Sequence, residues 1–229
     1  MKKTICILLL CLLTLTTISC ANSGFKTYYS KEIDGITYSI RGKSEARLQL
    51  YITQGEKVLL SEKLTRSKNL GDPAEDFGLQ VLDLNFDGAL DVMLPTGKDG
   101  DCVSYSCFLK NATGDGYTYS AELSALCNLR TDEDLLAVFG FSHTFLREEY
   151  PDSPDYTVST DTTTKYVWRE GKLQPQIRVS LSYYSQTDLY CYSVSYYDTV
   201  AEEFNDPDDR WLTPEEYRDV DFEFLYYFK

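Results

Sequence analysis

The sequence has few cationic residues for its length. It contains 22 Lys and Arg residues against 36 Asp and Glu residues in 229 residues, so its formal net charge is −14. Proteins that bind nucleic acids neutralise phosphates with clustered Lys and Arg side chains, and the sequence has no such cluster. The composition therefore argues against a nucleic-acid-binding protein and favours a cationic partner.

Histidine and the common zinc and hydrolase motifs are also scarce. His143 is the only histidine, and the chain has no Cys-x-x-Cys pair, so the sequence does not indicate a zinc site. There is no Gly-x-Ser-x-Gly elbow, and a single histidine is more often a packed or hydrogen-bonded residue than a catalytic base. We therefore predict no catalytic residue and a protein that is not an enzyme.

The apolar run near the N terminus is short. It extends over residues 5–18, which is 14 residues, whereas a membrane-spanning helix needs about 20. Lys2 and Lys3 precede the run and small residues follow it, which is typical of an export signal. The sequence thus predicts a signal peptide at residues 1–19 and an extracytoplasmic protein, on the cell surface or in the periplasm.

Cys20 directly follows this predicted signal peptide. The segment Thr17-Ile18-Ser19-Cys20 resembles a bacterial lipobox. This resemblance implies that Cys20 is the lipid attachment site, that it anchors the protein to the membrane, and that residues 20–27 form a polar tether. Two alternatives stay open: cleavage after Ala21, which would release a soluble protein, and an uncleaved anchor.

Export also determines how the later cysteines are interpreted, because disulfides form outside the reducing cytosol. Four cysteines follow Cys20, and they could form two disulfides in any of three pairings: Cys102, Cys107, Cys127 and Cys191. If Cys102 and Cys107 lie on one regular strand, their odd separation places the two sulfurs on opposite faces and disfavours that pair. Buried free thiols are the alternative to any disulfide.

Alternation of apolar and polar residues predicts an all-β fold. Residues 48–52 alternate in this way and predict a hairpin with the turn at residues 54–56. Turn signals at residues 111–116 and 170–171 separate further strand candidates, among them residues 103–110 and 117–123. We expect one domain at residues 28–229, built as a mostly antiparallel sandwich or as partial propeller-like sheets.

Three further segments contain patterns that predict a helix or a strand. Thr213-Pro214-Glu215-Glu216 predicts one short C-terminal helix, since Thr suits the N-cap and Pro the first helical position. Val220–Phe228 alternates aromatic residues and is a candidate for a last strand. Part of Asp132–Val138 is a further helix candidate.

The sharpest motif is an acidic loop at residues 83–91. Side-chain oxygens alternate along it, Gly88 permits a sharp turn, and a backbone carbonyl is available between the last two acids. Calcium binds about six to eight oxygen ligands, which a loop of this kind supplies. We therefore predict Ca²⁺ as the cofactor, with these ligands: Asp83, Asn85, Asp87, the carbonyl of Ala89, and Asp91.

The flanks of the loop differ from those of the helix-loop-helix calcium hand. That motif has Glu at position 12, where this sequence has Leu94, and residues 78–82 and 92–94 read as strands. Asp99 and Asp101 are nearby acids that could add ligands or simply be solvated. The alternative for the loop itself is an ordinary surface turn made of turn-favouring residues.

At these residues the sequence resembles a known group of proteins. The Asp-x-Asn-x-Asp-Gly-x-x-Asp loop between strands is similar to the calcium loop of FG-GAP and VCBS repeats, which recur in β-propellers. A single copy resembles bacterial envelope proteins that are similar to lysozyme inhibitors, some of which are immunity proteins against secreted peptidoglycan-cleaving toxins. Further similarities occur at residues 95–97, 107–109 and 166–173, so the resemblance covers residues 77–173.

This resemblance implies a calcium-stabilised protein-binding module that inhibits a cationic protein such as a lysozyme-like hydrolase. Paired tyrosines, such as Tyr183-Tyr184 and Tyr196-Tyr197, support the alternative of a module that binds carbohydrate or a surface glycan. Such pairs also arise from cross-strand aromatic packing in a sheet. A glycan-acting enzyme is the third alternative, although 36 acids make some close carboxylate pair inevitable.

Overall fold

The fold was obtained as a computed structural model, which describes residues 24–44, 47–67, 70, 77–150 and 153–219. The predicted signal peptide, Cys20 and the strand candidate Val220–Phe228 lie outside the described residues. Contacts between residues divide the chain into two compact units, Met1–Leu64 and Thr65–Lys229. The single domain expected from the sequence stays a prediction. Within the described part of the chain, no helix has the length and apolar character needed to cross a membrane.

The first unit is a meander of four antiparallel strands. The strands follow one another in sequence order and are β1 (Lys26–Ile33), β2 (Ile36–Ser44), β3 (Arg47–Gln54) and β4 (Lys57–Leu64). β3 alternates buried and more exposed residues, and Ile36, Tyr38 and Ile40 of β2 are buried at alternate positions, so one face of each strand is apolar, as expected for a half-buried sheet. The predicted hairpin around Gln54-Gly55-Glu56 is confirmed, since it joins β3 to β4.

The second unit contains two antiparallel sheets. The first sheet has the order β5-β6-β7-β8, and its strands are β5 (Gln80–Leu82), β6 (Asp91–Asp99), β7 (Cys102–Lys110) and β8 (Tyr117–Tyr119). The second sheet has the order β14-β13-β12-β11-β10-β9, with β15 also pairing with β13. Its strands are β9 (Arg130–Asp132), β10 (Ala137–Tyr150), β11 (Ser153–Arg169), β12 (Lys172–Tyr184), β13 (Leu189–Asp198), β14 (Glu203–Phe204) and β15 (Asp208–Leu212).

A buried apolar core joins the two sheets of the second unit. Leu84, Met93 and Cys107 belong to the first sheet and its loops, and they pack with Val138 of β10. Ala137 and Phe139, the neighbours of Val138, point to the opposite face of β10 and form another cluster with Val179 and Val194. Strand alternation thus makes the second sheet apolar on both faces near its centre, and the all-β prediction is confirmed.

The predicted C-terminal helix is confirmed as α2 (Pro214–Asp219). The Thr213 Oγ1 accepts a hydrogen bond from the Glu216 backbone N–H at 3.2 Å, and Glu216 Oε2 accepts one from the Thr213 N–H at 2.8 Å. This reciprocal arrangement is a capping box, which satisfies backbone donors at the start of a helix. The helix is therefore specified locally, by the same residues that predicted it.

A second short helix replaces the end of a predicted strand. The strand predicted over residues 117–123 ends at Tyr119, and α1 (Ala121–Ser124) follows. Ser120 is its N-cap, with the side chain accepting a hydrogen bond from the Leu123 N–H at 3.3 Å. A serine in this position can satisfy helix donors or a turn, and burial of Leu123 selects the helix.

The helix expected within Asp132–Val138 is wrong. Asp132 ends β9, residues 133–136 form a turn, and Ala137 begins β10. Asp132 Oδ1 accepts a hydrogen bond from the Leu135 N–H at 3.0 Å, so the aspartate that could cap a helix here caps a tight turn instead. Residues 137–139 pair with β9, so they are extended and cannot form the last turn of a helix.

One disulfide links Cys102 to Cys127, with 5.3 Å between the two Cα atoms. Cys107 and Cys191 are buried free thiols. Of the four later cysteines, the sequence disfavoured only the Cys102–Cys107 pair, and this pair is absent because both residues lie on β7. Burial raises the pKa of the Cys107 thiol to about 12, so this thiol stays protonated and unreactive at neutral pH.

Candidate metal centre

The acidic loop lies between two strands of the first sheet of the second unit. β5 ends at Leu82 and β6 begins at Asp91. The apolar side chains of the loop point inward: Leu84 is fully buried and Phe86 packs against the same core. Burial of Leu84 and Phe86 fixes the loop to the sheet. The polar side chains that alternate with these two residues therefore point toward solvent or toward the centre of the loop.

Backbone hydrogen bonds gather the side-chain oxygens of the loop. Asp83 accepts hydrogen bonds from the Asp87 N–H at 3.2 Å and from the Gly88 N–H at 2.7 Å, one on each carboxylate oxygen. Asn85 Oδ1 accepts from the Asp87 N–H at 3.2 Å, and Asp87 Oδ1 accepts from the Ala89 N–H at 2.8 Å. Three of the predicted ligands are thus brought around one short stretch of backbone.

The backbone of the loop needs glycine at one position. Gly88 has φ +84°, a conformation that residues with a side chain rarely adopt. No other atom lies within 4 Å of the position that a Cβ would occupy there, so the constraint is conformational rather than a lack of space. Gly88 thereby lets the chain reverse while its N–H points back to Asp83.

Asp91 is separated from the other acids by burial. Its side chain is fully buried, with Oδ2 accepting from the Leu84 N–H at 2.9 Å and Oδ1 accepting from the Lys110 N–H at 2.7 Å. Burial raises the pKa of this carboxyl to about 6; the two hydrogen bonds act in the opposite direction, and the charges of Asp87 and Asp83 raise it further. A cation near the loop would relieve this electrostatic cost.

The second sheet also holds the loop, through Trp168 of β11. Its indole Nε1–H donates a hydrogen bond to the Leu84 carbonyl oxygen at 2.9 Å, and its ring packs against the core that contains Leu84. No local sequence pattern assigns this role to Trp168, although it lies within residues 166–173, one of the segments that resemble the envelope proteins. Only the tertiary fold brings it to a loop that lies 84 residues earlier.

The donor set is compatible in its chemistry with calcium, which prefers oxygen ligands. A carboxylate oxygen has more than one lone pair, so the hydrogen bonds within the loop leave capacity for a cation. Within the described ranges, however, no three or more His, Cys, Asp and Glu side chains lie together as a metal site. A calcium ion here would therefore also need the amide oxygen of Asn85 and carbonyl or water oxygens.

The five predicted ligands occupy different parts of this arrangement. Asp83, Asn85 and Asp87 interact directly, Ala89 is half-buried at the end of the turn, and Asp91 lies beneath the loop in the sheet. Asp99 ends β6, and a strand rises about 3.4 Å per residue, so Asp99 lies roughly 25 Å from Asp91. Asp99 and its neighbour Asp101 are therefore not part of this loop site.

Taken together, the strands and the loop define an all-β protein with a strand-loop-strand element of the oxygen-donor type. No family model matches the chain, and no curated protein matches it. The fold is similar to a solved structure described as "Structure of a Xanthomonas Type IV Secretion System related protein". The TM-score is 0.53 at 14% sequence identity, over 80% of this chain and 93% of the other. At this identity the similarity establishes the fold alone.

Proposed function

We propose that this chain is a calcium-stabilised extracytoplasmic lipoprotein that binds another protein and inhibits a lysozyme-like peptidoglycan hydrolase. The observation that carries the proposal is the loop at residues 83–91, whose oxygens converge and whose buried Asp91 lies close to two further carboxylates. In this proposal Asp83, Asn85, Asp87, the Ala89 carbonyl and Asp91 hold calcium, and the ion neutralises charge and rigidifies the loop.

The net charge and the sequence resemblance support the protein-binding part of the proposal. The formal net charge of −14 steers basic proteins toward this chain and raises association rates at low salt. The sequence resembles envelope proteins similar to lysozyme inhibitors, and the fold resembles that of a Xanthomonas protein related to a type IV secretion system. We propose that the protein acts by binding rather than by catalysis.

The test is a titration of the protein, purified without its lipid, into cell-wall digestion by a panel of lysozyme types. We expect inhibition that saturates near one inhibitor per enzyme at physiological ionic strength. Asp87→Ala should weaken the inhibition, and Asp134→Asn is the control, since Asp134 is an exposed acid in the turn between β9 and β10. Absence of inhibition across the panel would contradict the proposal.

The membrane anchor is tested separately. Cys20→Ala in the native host should move the protein from the membrane fraction to the soluble fraction, because the thioether-linked lipid cannot form. Cys191→Ala is the matched control, since Cys191 is a buried free thiol in β13. Unchanged partitioning of the Cys20→Ala protein into detergent would contradict lipid attachment at this residue.

Exposed aromatic rings favour a second candidate function, binding of a carbohydrate or surface glycan. Trp211 and Tyr196 are about half exposed, at 53% and 48%, and sugar rings stack on such faces. Two of the paired tyrosines instead pack against aromatic rings of other strands. The ring centres of Tyr183 and Tyr190 are 5.0 Å apart, and so are those of Tyr184 and Trp211. Retention on a glycan column without hydrolase inhibition would favour this second candidate.

A further inference from the structure

Beyond residue 141, one edge of β10 pairs with none of the strands that the structure describes. β9 pairs with β10 only at residues 137–139. The next outward contact is at Phe141, whose N–H donates to the Cys127 carbonyl at 2.8 Å and whose carbonyl accepts from Asn128 Nδ2 at 3.2 Å. In the part of the chain that the structure describes, no strand pairs with this side of β10 farther along.

The register shows which residues present their backbone to this edge. In an antiparallel strand, every second residue directs its N–H and its C=O to the same side. Phe141 directs both outward, and β10 pairs with β11 without a register shift from residue 137 to residue 148. His143 and Phe145 therefore direct an N–H and a C=O to the edge, where no described strand pairs with them, while Ser142 and Thr144 bond to β11.

A cavity opens beside this edge. It lies on the face of the second sheet that carries the side chains of Phe139, Phe141 and His143, and its volume is about 800 Å³. Three carboxylates line it, from Asp101, Asp132 and Asp161. The cavity therefore adjoins the same stretch of β10 that directs unpaired backbone groups outward in the described part of the chain.

Acidic groups outnumber cationic groups in the cavity. Arg130 is the one Lys or Arg among the described lining residues, and its guanidinium lies over the Phe141 ring at 5.0 Å from the ring centre. His143 Nδ1 lies 2.7 Å from Asp161 Oδ1, and the Asp161 side chain is 73% exposed. The cavity thus combines exposed carboxylate oxygens with aromatic rings, a combination that suits a Lys or Arg side chain.

We propose that an extended segment of a protein partner pairs with the edge of β10 at His143 and Phe145 and places a Lys or Arg side chain in this cavity. Main-chain hydrogen bonds along an exposed edge give affinity, and pockets for alternate side chains give specificity. Alternate residues of the added strand point to the cavity face. Phe145 and Leu146, which are 61% and 58% exposed, add apolar contact beyond the cavity.

This inference rests on the proposed protein-binding function and specifies the chemistry of the bound segment. It does not require that the partner is a hydrolase. The probe is a library of random peptides of about eight residues, within the usual length of a strand. We expect selection on the full chain to enrich peptides with a Lys or Arg flanked at alternate positions by β-branched or aromatic residues.

Two matched pairs of variants locate the binding. Phe145→Pro removes the outward N–H and should abolish binding of the selected peptides, while Phe145→Ala keeps that N–H and should weaken binding only modestly. Proline is tolerated on an edge strand where its missing N–H faces solvent, so the fold is retained. The double change Asp101→Asn with Asp161→Asn should weaken binding about tenfold, whereas Asp134→Asn, outside the cavity, should leave it unchanged.

Amide hydrogen exchange gives an independent readout. Bound peptide should slow exchange at His143 and Phe145 and leave Ser142 and Thr144, which already bond to β11, nearly unchanged. Failure to enrich any peptide, enrichment without Lys or Arg, or binding that survives Phe145→Pro would overturn the inference. Hydrolase inhibition is measured in a separate assay, so a failure there leaves the peptide result intact and identifies which of the two proposals is wrong.

Discussion

The loop at residues 83–90 and the turn at residues 111–116 belong to the same sheet and are both rich in Asp, Asn and Gly. The turn closes on itself: the Asn111 N–H donates to the Gly116 carbonyl, and Asp115 accepts from the side chains of Asn111 and Thr113. The loop instead places Leu84 in the core and a carboxylate, Asp91, beneath it.

The loop and the turn have similar amino-acid compositions but differ in which side chains are buried. Turn-favouring residues predict a reversal of the chain in both places. In the loop, however, Leu84 is buried and Phe86 and Leu90 are partly buried, which directs the oxygen-bearing side chains together, whereas the one apolar side chain of the turn, Ala112, is exposed. A candidate metal loop is therefore better distinguished from a plain turn by its buried residues than by its acidic ones.

The largest expected effect comes from Asp91→Ala. The change leaves the backbone N–H groups of Leu84 and Lys110 buried without their acceptors, and each costs about 1–3 kcal/mol. Removing a buried charge offsets part of this, so we expect the free energy of unfolding to fall by about 3 kcal/mol in urea titrations. Asp115→Ala in the exposed turn should cost less than about 1 kcal/mol; equal costs would show that Asp91 is not the anchor of the loop.

Calcium should stabilise the protein through the loop and not through the turn. At a concentration one hundred times its Kd, a ligand that binds only the folded state adds about 2.7 kcal/mol. Asp87→Ala should remove most of the resulting rise in Tm, because it takes one carboxylate out of the ligand set. Asp115→Ala should preserve the rise in Tm. If neither calcium nor chelator changes the Tm, the loop is an ordinary turn and not a calcium site.

Trp168→Phe should separate the loop from the second sheet. The substitution keeps an aromatic ring in the core but removes the hydrogen bond to the Leu84 carbonyl. Because a typical buried hydrogen bond contributes about 1 kcal/mol, we expect a loss of that size in urea unfolding. Trp211→Phe is the control, since its ring is half exposed. An equal effect of the two substitutions would argue against the bond to Leu84.

The smallest expected effect distinguishes two glycines in the same conformation. Gly88 and Gly114 have φ +84° and +68°, with no other atom near a Cβ at either position. Alanine at either site should lower the free energy of unfolding by about 1 kcal/mol through backbone strain. Only Gly88→Ala should also weaken calcium binding in a calorimetric titration. Equal calcium affinity in both variants would mean that the loop conformation does not determine binding.

The fold was predictable wherever the signal was local. Alternation over residues 48–52 and the glycine turns predicted hairpins, and the N-cap Thr213 with Pro214 after it predicted α2. Asp132 was ambiguous because an aspartate caps a helix or a tight turn equally well, and only pairing with β9 decides between them. Local signals thus identify single elements but not the contacts that choose between alternatives.

The candidate site was predictable in part for the same reason. The spacing of the acids predicted a loop at residues 83–91 and the residues that carry its side-chain oxygens. The donors that hold Asp91 and Leu84 in place come from Lys110 and Trp168, which are 19 and 84 residues distant from their partners. No periodic pattern in a single sequence encodes contacts at such separations, so the support of the loop was visible only in the fold.

The disulfide between Cys102 and Cys127 has a consequence for where the protein is stable. It closes a segment of 25 residues that contains Lys110, the donor that holds Asp91, and a closed loop of that size contributes about 3.5 kcal/mol. A reducing compartment withholds this contribution, and, if the loop binds calcium as we propose, a compartment poor in calcium would withhold that of the ion. On our proposal, oxidant and ion stabilise the same sheet, and a chain with the predicted signal peptide would reach its full stability only after crossing the membrane.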